Sequence, residues 1–568
     1  MRDRRPWLRF YGKVPASLLY PELTLYEAVR ATAARVPDMP AWDFFGTSRT
    51  YRQFIADIDT CANAFASIGL KAGDRLLISM PTTPQGVIAF YAANKLGALP
   101  ALIHPLSTTS EIEHYLNISG ARIVLTLDAF YATLAAARPK LPIETIVLAR
   151  IPDALPLLKR FGFWLTKGRR IAPIPPDSRV RGWAALMGVR QPSPPIAATG
   201  RTGDPAAILF SGGTTGTPKG ILLSNRNFIA EGMAVASWSQ MREGDSILAI
   251  LPIFHGFGLA VCINSAFMAG GKSILVPTFT AEIVAKLIRT MRPNLLVGVP
   301  TLFDALSRDP SLQHADLSCL RATFSGADSL PRPVKERFEK LVMARGGHVQ
   351  LLEGYGLTEA VSGIMAMPVG EYRDGSIGVP LPDMRACICR IGSTEELPAG
   401  EEGEICIAGP AVMIGYLDEP AATREALQVH ADGCIWLHTG DLGRMDEDGF
   451  FYFSARLKRM IKSSGFNVYP AQVEAVLYQS PLVEDACVIG VPDPEQVERV
   501  KAVVVLKDPT MAGAETEQAL IDTCRARLIK WSCPREIEFR RELPKTRIGK
   551  IDYKVLVAEH VERSRQDD

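Results

Sequence analysis

Residues 74–80 read "DRLLISM", 84–99 "PQGVIAFYAANKLGAL" and 121–127 "ARIVLTL". The first and third are short, nearly unbroken apolar runs, the pattern of strands buried on both faces. The middle stretch reads as the helix that follows the first strand. Strand, helix and strand in that order make a βαβ unit and call for a largely parallel sheet. The alternation continues through roughly the first four hundred residues, without an internal repeat. The expected class is therefore α/β.

Further along, "GFFYFSARLKRMIKSSGFNVYP" (449–470) passes from a strand-rich run into a basic turn. A domain border is expected there, dividing 1–457 from 458–568. "AQVEAVLYQS" starts a helix directly after Pro470, a favourable place for proline. "DACVIGVP" (485–492) and "VKAVVVLKD" (500–508) read as strands, and "EQALIDTCRARLIKW" (517–531) as a helix. These suffice for a small α/β domain. A chain of 568 residues is in any case too long for one core.

Composition narrows the function. Hydrophobic residues make up 47% and charged residues 22%, which excludes a disordered chain. With 63 basic against 61 acidic residues the net charge is +2, so no basic footprint for nucleic acid is present. The start, "MRDRRPWLRFYG", lacks the apolar core of a secretory signal. No run reaches the ~18 apolar residues of a membrane-spanning helix, and a cytoplasmic protein is expected. Residues 154–176, "ALPLLKRFGFWLTKGRRIAPIPP", intersperse Lys159, Arg160, Lys167, Arg169 and Arg170 with Phe161, Phe163 and Trp164. Such a segment either lies on an anionic membrane surface as a peripheral contact or docks on the protein by its apolar side. The ten cysteines include no C-x-x-C pair. Cys387 and Cys389 share a face of the strand-like "RACICR", but no histidine or second cysteine pair accompanies them in sequence. Buried free thiols are the expectation.

"SGGTTGTPKG" (211–220) lies between the apolar runs "AAILF" (206–210) and "GILLS" (220–224), so it reads as a hairpin loop. It matches neither the Walker pattern nor the dinucleotide fingerprint. Its ingredients still suit an oligophosphate. Glycines expose N–H groups, Thr214, Thr215 and Thr217 add hydroxyls, and Lys219 supplies a point charge.

With its companions the loop resembles the signature of the adenylate-forming superfamily, which holds acyl-CoA synthetases, peptide-synthetase adenylation domains and luciferases. The companions are "EGYGLTE" (353–359), "HTGDLGRMDEDGFFYFSARLKRMIKSSGFNVYP" (438–470) and "PKTRIGK" (544–550), in family order. The resemblance implies a large N-terminal domain of layered, mostly parallel sheets with a small β-barrel-like subdomain, and a small mobile C-terminal α/β domain. It implies ATP, Mg²⁺ and coenzyme A, and two half-reactions. A carboxylate first attacks the α-phosphorus of ATP, giving acyl-AMP and pyrophosphate; a thiol then displaces AMP.

By the same resemblance, Ser211, Gly212, Gly213, Thr214, Thr215, Gly216 and Lys219 hold the β- and γ-phosphates. Tyr355 stacks on adenine, Thr358 bonds the α-phosphate and Glu359 holds Mg²⁺. Gly326 and Ala327, in "FSGADSL", lie along the adenine, although Asp328 stands where the family commonly has proline. Asp441 takes the ribose, with Arg456 as a second contact. Lys458 is the hinge. Lys550 stabilises the adenylation transition state, and Gly465 opens room for the thiol arm afterwards.

His255 in "LPIFHGFGL" stands where relatives place an aromatic residue or a histidine beside the carboxylate. Gly356 stands where relatives restricted to very short acids carry a bulky aromatic, and its lack of a side chain implies a deeper pocket. A medium- or long-chain fatty acid is the expected substrate. An aryl acid, and an acyl-AMP ligase loading a carrier protein, are the alternatives. A binding protein that has lost catalysis is disfavoured by intact Lys219, Glu359, Asp441 and Lys550.

Overall fold

The computed structural model describes residues 5–166, 168, 171–188, 196–211, 218–278, 280–463, 466–493, 497–545 and 551–567. The chain packs as two compact units. The first comprises 1–213, 217–386 and 407–437, and the second 214–216, 387–406 and 438–568.

In the first unit the two apolar runs form strands Arg75–Ser79 and Ile123–Leu127, paired in parallel. Between them runs the helix Pro84–Lys95. The Thr83 hydroxyl accepts the Gly86 N–H at its start, and Pro84 takes the first helical position. The helix is shorter than the expected 84–99. Gly97 turns the chain at φ 71°, and Leu99–Leu102 leaves as the next strand. Every residue of this helix is buried, which accounts for its apolar character all round. Lys95 at its end is neutralised by Asp59 at 2.9 Å.

One sheet has the order 415–416, 220–224, 205–210, 99–102, 75–79, 123–127, 145–149, 180–182. It is parallel from Pro205–Phe210 onwards. The expected hairpin is there: Pro205–Phe210 pairs antiparallel with Gly220–Ser224, and Phe210 lies opposite Gly220. A second sheet has the order 379–380, 363–366, 351–356, 322–325, 295–298, 246–249, 272–275, 40–44, 47–50. Its strands from Leu351–Gly356 to Pro40–Phe44 are parallel. A small curled sheet, the β-barrel-like part, carries Arg385–Cys389, Glu402–Ala408 and Ile435–Met445 side by side.

In the second unit Val483–Asp493 pairs antiparallel with Val497–Leu506, which pairs in parallel with Glu536–Arg540. Helix Pro470–Leu477 starts on its proline as expected. The next helix spans Ala514–Arg525, displaced towards the N-terminus of the expected 517–531, because Lys530–Ser532 forms a separate 3₁₀ turn. Val488, Ala502, Val504, Leu520 and Ile537 close the core of this unit.

The basic aromatic segment contains the helix Leu157–Thr166. Phe161 is 63% and Leu165 44% exposed on it, while Lys159 Nζ bonds the Phe45 carbonyl oxygen. Lys167, Arg169 and Arg170 lie outside the described residues. Among the described residues no helix is long and apolar enough to cross a membrane.

Candidate active site

Parallel strands place the segments that follow them along one sheet edge, where open α/β sheets bind ligands. Ser246–Ala249, Leu295–Gly298, Ala322–Ser325 and Leu351–Gly356 are neighbours in the second sheet. His255, Gly326, Ala327, Thr358 and Glu359 follow their C-terminal ends, and Tyr355 lies in the last strand. The topology thus gathers the expected residues of this unit, apart from those of the hairpin loop.

The hairpin loop reaches the same place through one side chain. Its ends are clasped: the Ser211 N–H donates to the Lys219 carbonyl at 3.0 Å, and the Lys219 N–H to Ser211 Oγ at 3.0 Å. Gly212, Gly213, Thr214, Thr215, Gly216 and Thr217 lie outside the described residues. Strand Gly415–Tyr416 pairs with the outgoing hairpin strand, setting Tyr416 opposite Ile221. Lys219 Nζ consequently sits 4.9 Å from the centroid of the Tyr416 ring, and the Tyr416 hydroxyl donates to Glu359 Oε1 at 3.0 Å. Burial, followed by the nearby Glu359 charge, pushes the Tyr416 phenol far up, so it stays a donor. The Met413 N–H donates to the Glu359 carbonyl at 2.8 Å and pins that turn. One phenol therefore joins the cation of the loop to the carboxylate of "YGLTE". Tyr416 was not among the residues expected from sequence; its two-residue strand leaves no periodic signal.

The Glu359 turn is strained. Val361 has φ 63° and ψ −63°, and the Ser362 N–H closes back to the Ala360 carbonyl at 2.7 Å. This is the rare form of γ-turn, unfavourable by about 1–3 kcal/mol for a β-branched residue. The turn brings backbone oxygens against two glycines. A Cβ on Gly256 would lie 1.8 Å from the Val361 oxygen, and one on Gly356 1.6 Å from the Ser362 oxygen. Gly356 is thus explained by close backbone approach. It does not report the depth of a pocket, and that expectation is withdrawn.

His255 Nδ1 accepts the Phe257 N–H at 3.1 Å, which leaves Nε2 as the nitrogen that carries a proton in the neutral ring. Phe257 lies over Gly326, where a Cβ would meet Cζ of the ring at 3.0 Å. Ala327 holds a left-handed φ of 71°, and Asp328, which replaces the common proline, bonds the Ser329 N–H at 2.9 Å.

The second unit carries the remaining expected residues. Asp441 and Arg456 face each other across antiparallel strands, with Nε 3.2 Å from Oδ1. Asp441 is buried, and its N–H donates to Thr439 Oγ1 at 3.0 Å. Lys458 belongs to the short turn Leu457–Arg459. Gly465 and Lys550 lie outside the described residues.

A cation at a hairpin, joined through Tyr416 to a carboxylate at the end of a parallel sheet, suits the binding of a polyphosphate. The comparisons agree. Residues 29–417 match the AMP-binding enzyme family and 472–550 its C-terminal domain. The chain belongs to this family of adenylate-forming enzymes. It is 35% identical to a long-chain-fatty-acid–CoA ligase of Bacillus subtilis, covering 99% of both chains. It is 31% identical to a feruloyl-CoA synthase of Amycolatopsis sp., covering 89% of this chain and 93% of that one. Among solved structures, ATP-bound MatB from Rhodopseudomonas palustris matches with a TM-score of 0.78 at 26% identity, covering 95% of this chain and 99% of that one.

Proposed function

We propose that the protein is a cytoplasmic AMP-forming acyl-CoA synthetase that activates a medium- or long-chain fatty acid and transfers the acyl group to coenzyme A. The observation that carries this reading is the Lys219–Tyr416–Glu359 contact. It holds the Lys219 cation and the Glu359 carboxylate on one phenol, which supports their acting together on a leaving pyrophosphate. Full-length similarity to long-chain-fatty-acid–CoA ligases supports the choice of acid.

Lys219 and the loop hydroxyls stabilise the charge that develops on the leaving pyrophosphate, the electrostatic part of the catalysis. Thr358 bonds the α-phosphate, and Glu359 suits Mg²⁺, which takes one or two carboxylates and completes its shell with phosphate and water. When bound, the ion neutralises phosphate charge. His255 directs its Nε2 proton to the substrate carboxylate. Tyr355, Gly326 and Ala327 bind the adenine, and Asp441 with Arg456 the ribose. Residues 458–568 act as the mobile domain hinged at Lys458, presenting Lys550 for adenylation and Gly465 for thioester formation. The 157–166 helix, with Phe161 outward, offers a peripheral contact to membranes, where fatty acids partition.

The test is pyrophosphate and AMP release with Mg-ATP, with and without CoA, over acids from acetate to oleate, benzoate and ferulate. CoA-dependent turnover greatest with the longer alkyl acids is expected. A preference for aryl acids overturns the substrate, and arrest at acyl-AMP in the presence of CoA overturns the acceptor.

A further inference from the structure

Strand Ile435–Met445 does not run evenly to Asp441. Gly440, one residue before it, holds a left-handed φ of 70°, which turns the chain in mid-strand. The neighbouring strand Glu402–Ala408 clasps this turn. Glu404 Oε1 accepts the Gly440 N–H at 2.8 Å, and Glu404 Oε2 lies 2.8 Å from His438 Nδ1. A carboxylate only accepts, so Nδ1 is the ring nitrogen that carries the proton. Between these two residues, the Thr439 hydroxyl donates to the Ile405 carbonyl at 2.7 Å, and Thr439 Oγ1 accepts the Asp441 N–H at 3.0 Å.

Glu404 is buried, and the His438 side chain is 6% exposed. Burying a carboxylate is costly unless its oxygens are hydrogen-bonded, and an apolar residue at 404 would avoid that cost. It would also take the Glu404 acceptor from the His438 ring and from the Gly440 N–H. No atom lies within 4 Å of the place where a Gly440 Cβ would stand. Crowding therefore does not shape the turn at Gly440, and its hydrogen bonds do. The stretch they hold ends on Asp441, which is buried with Oδ1 3.2 Å from Arg456 Nε.

We propose that Glu404 is a positioning residue of the nucleotide site: by bridging His438 and Gly440 it sets the turn from which the Asp441 carboxylate meets the ribose hydroxyls. The inference rests on the ribose role proposed for Asp441. A carboxylate that accepts from two hydroxyls at once needs a fixed direction, and small displacements of such a group cost binding. Glu404 acts through Asp441 and takes no part in the chemistry.

The experiment uses the full-length protein and compares ATP with 2′-deoxy-ATP and 3′-deoxy-ATP in pyrophosphate release at a saturating fatty acid. Wild type should prefer ATP about tenfold over each deoxynucleotide, the weight of one hydrogen bond to a charged group. Asp441→Ala should abolish that preference. Glu404→Ala should do the same and raise the KM for ATP about tenfold, with the KM for the fatty acid unchanged. Glu404→Gln should keep the preference, because its amide oxygen accepts the Gly440 N–H while its NH₂ donates to Nδ1 of the other His438 tautomer. A loss of stability alone lowers the active fraction and leaves the nucleotide ratio as it is. Should Glu404→Ala fail to fold, Glu404→Asp, a methylene too short to span both donors, takes its place. A folded Glu404→Ala or Glu404→Asp variant that keeps the ATP preference, while Asp441→Ala loses it, overturns the positioning role alone. Preference kept by Asp441→Ala overturns the ribose reading and the inference with it.

Discussion

Tyr416→Phe removes one atom from the contact that joins the loop to the family carboxylate, and its effect can be worked out. The phenol donates to Glu359 Oε1 at 3.0 Å, a hydrogen bond to a charged group. Such bonds contribute about 1.5–3 kcal/mol, and partial exposure of both residues argues for the lower end. About 1.5 kcal/mol corresponds to roughly a tenfold loss, at about 1.4 kcal/mol per decade. The phenylalanine ring keeps its place under Lys219 Nζ, 4.9 Å from the centroid. Tyr416→Leu removes the ring as well. A cation–π contact contributes about 0.5–2 kcal/mol, so leucine should add roughly a twofold to thirtyfold loss. The assay is ATP–pyrophosphate exchange with a saturating fatty acid, read as kcat/KM for Mg-ATP. The expected order is wild type, then Phe about tenfold lower, then Leu lower again, with melting temperatures within a few degrees of one another. Because the Tyr416 phenol is pushed far up, the pH profile of the wild type should show no step that Phe removes. A Phe variant within twofold of wild type would refute the reasoning, since Glu359 would then be held without its phenol.

Burial holds the Glu231 carboxyl up at about 8, and its Oε2 has no hydrogen-bond partner while Oε1 accepts the Gly363 N–H. The folded protein then binds a proton that the unfolded chain releases near 4.5, so stability should fall as pH rises from about 4.5 to 8, by up to about 1.4 kcal/mol per unit. Glu231→Gln should match wild type in acid and melt higher at pH 8 and above; parallel melting curves across that range would contradict the assignment. Lys550→Ala should cripple adenylation and spare thioester formation from supplied acyl-adenylate, and equal loss in both half-reactions would sink the two-state role of the C-terminal domain. Asp441→Asn removes the buried partner of Arg456 and should raise the KM for ATP about tenfold, consistent with losing about 1.5 kcal/mol of charge-assisted hydrogen bonding; an unchanged KM would detach Asp441 from the ribose.

What the sequence discloses depends on how local its cause is. The strands around 75–79 and 123–127 and the hairpin at 205–224 were legible because burial on two faces writes an unbroken apolar run. The C-terminal end of the 84–95 helix was less so: its apolar run continues into Leu99–Leu102, and only the Gly97 turn separates helix from strand. Candidate site residues carried by dense motifs, such as Lys219, Tyr355 and Glu359, can be named one by one from sequence. The contact between Lys219 and Glu359 was not, because it runs through Tyr416, which is brought in by a two-residue strand. Gly356 shows the opposite failure. A missing side chain looks the same in sequence whether it opens a pocket or admits a carbonyl, and only the Ser362 oxygen, 1.6 Å from where a Cβ would stand, distinguishes them. Glu404 and His438 are distant in the chain and adjacent only across strands. Pairing across a sheet is thus where this protein forms contacts that sequence order does not announce. The strand neighbours of a motif, more than its sequence neighbours, are the residues to mutate next.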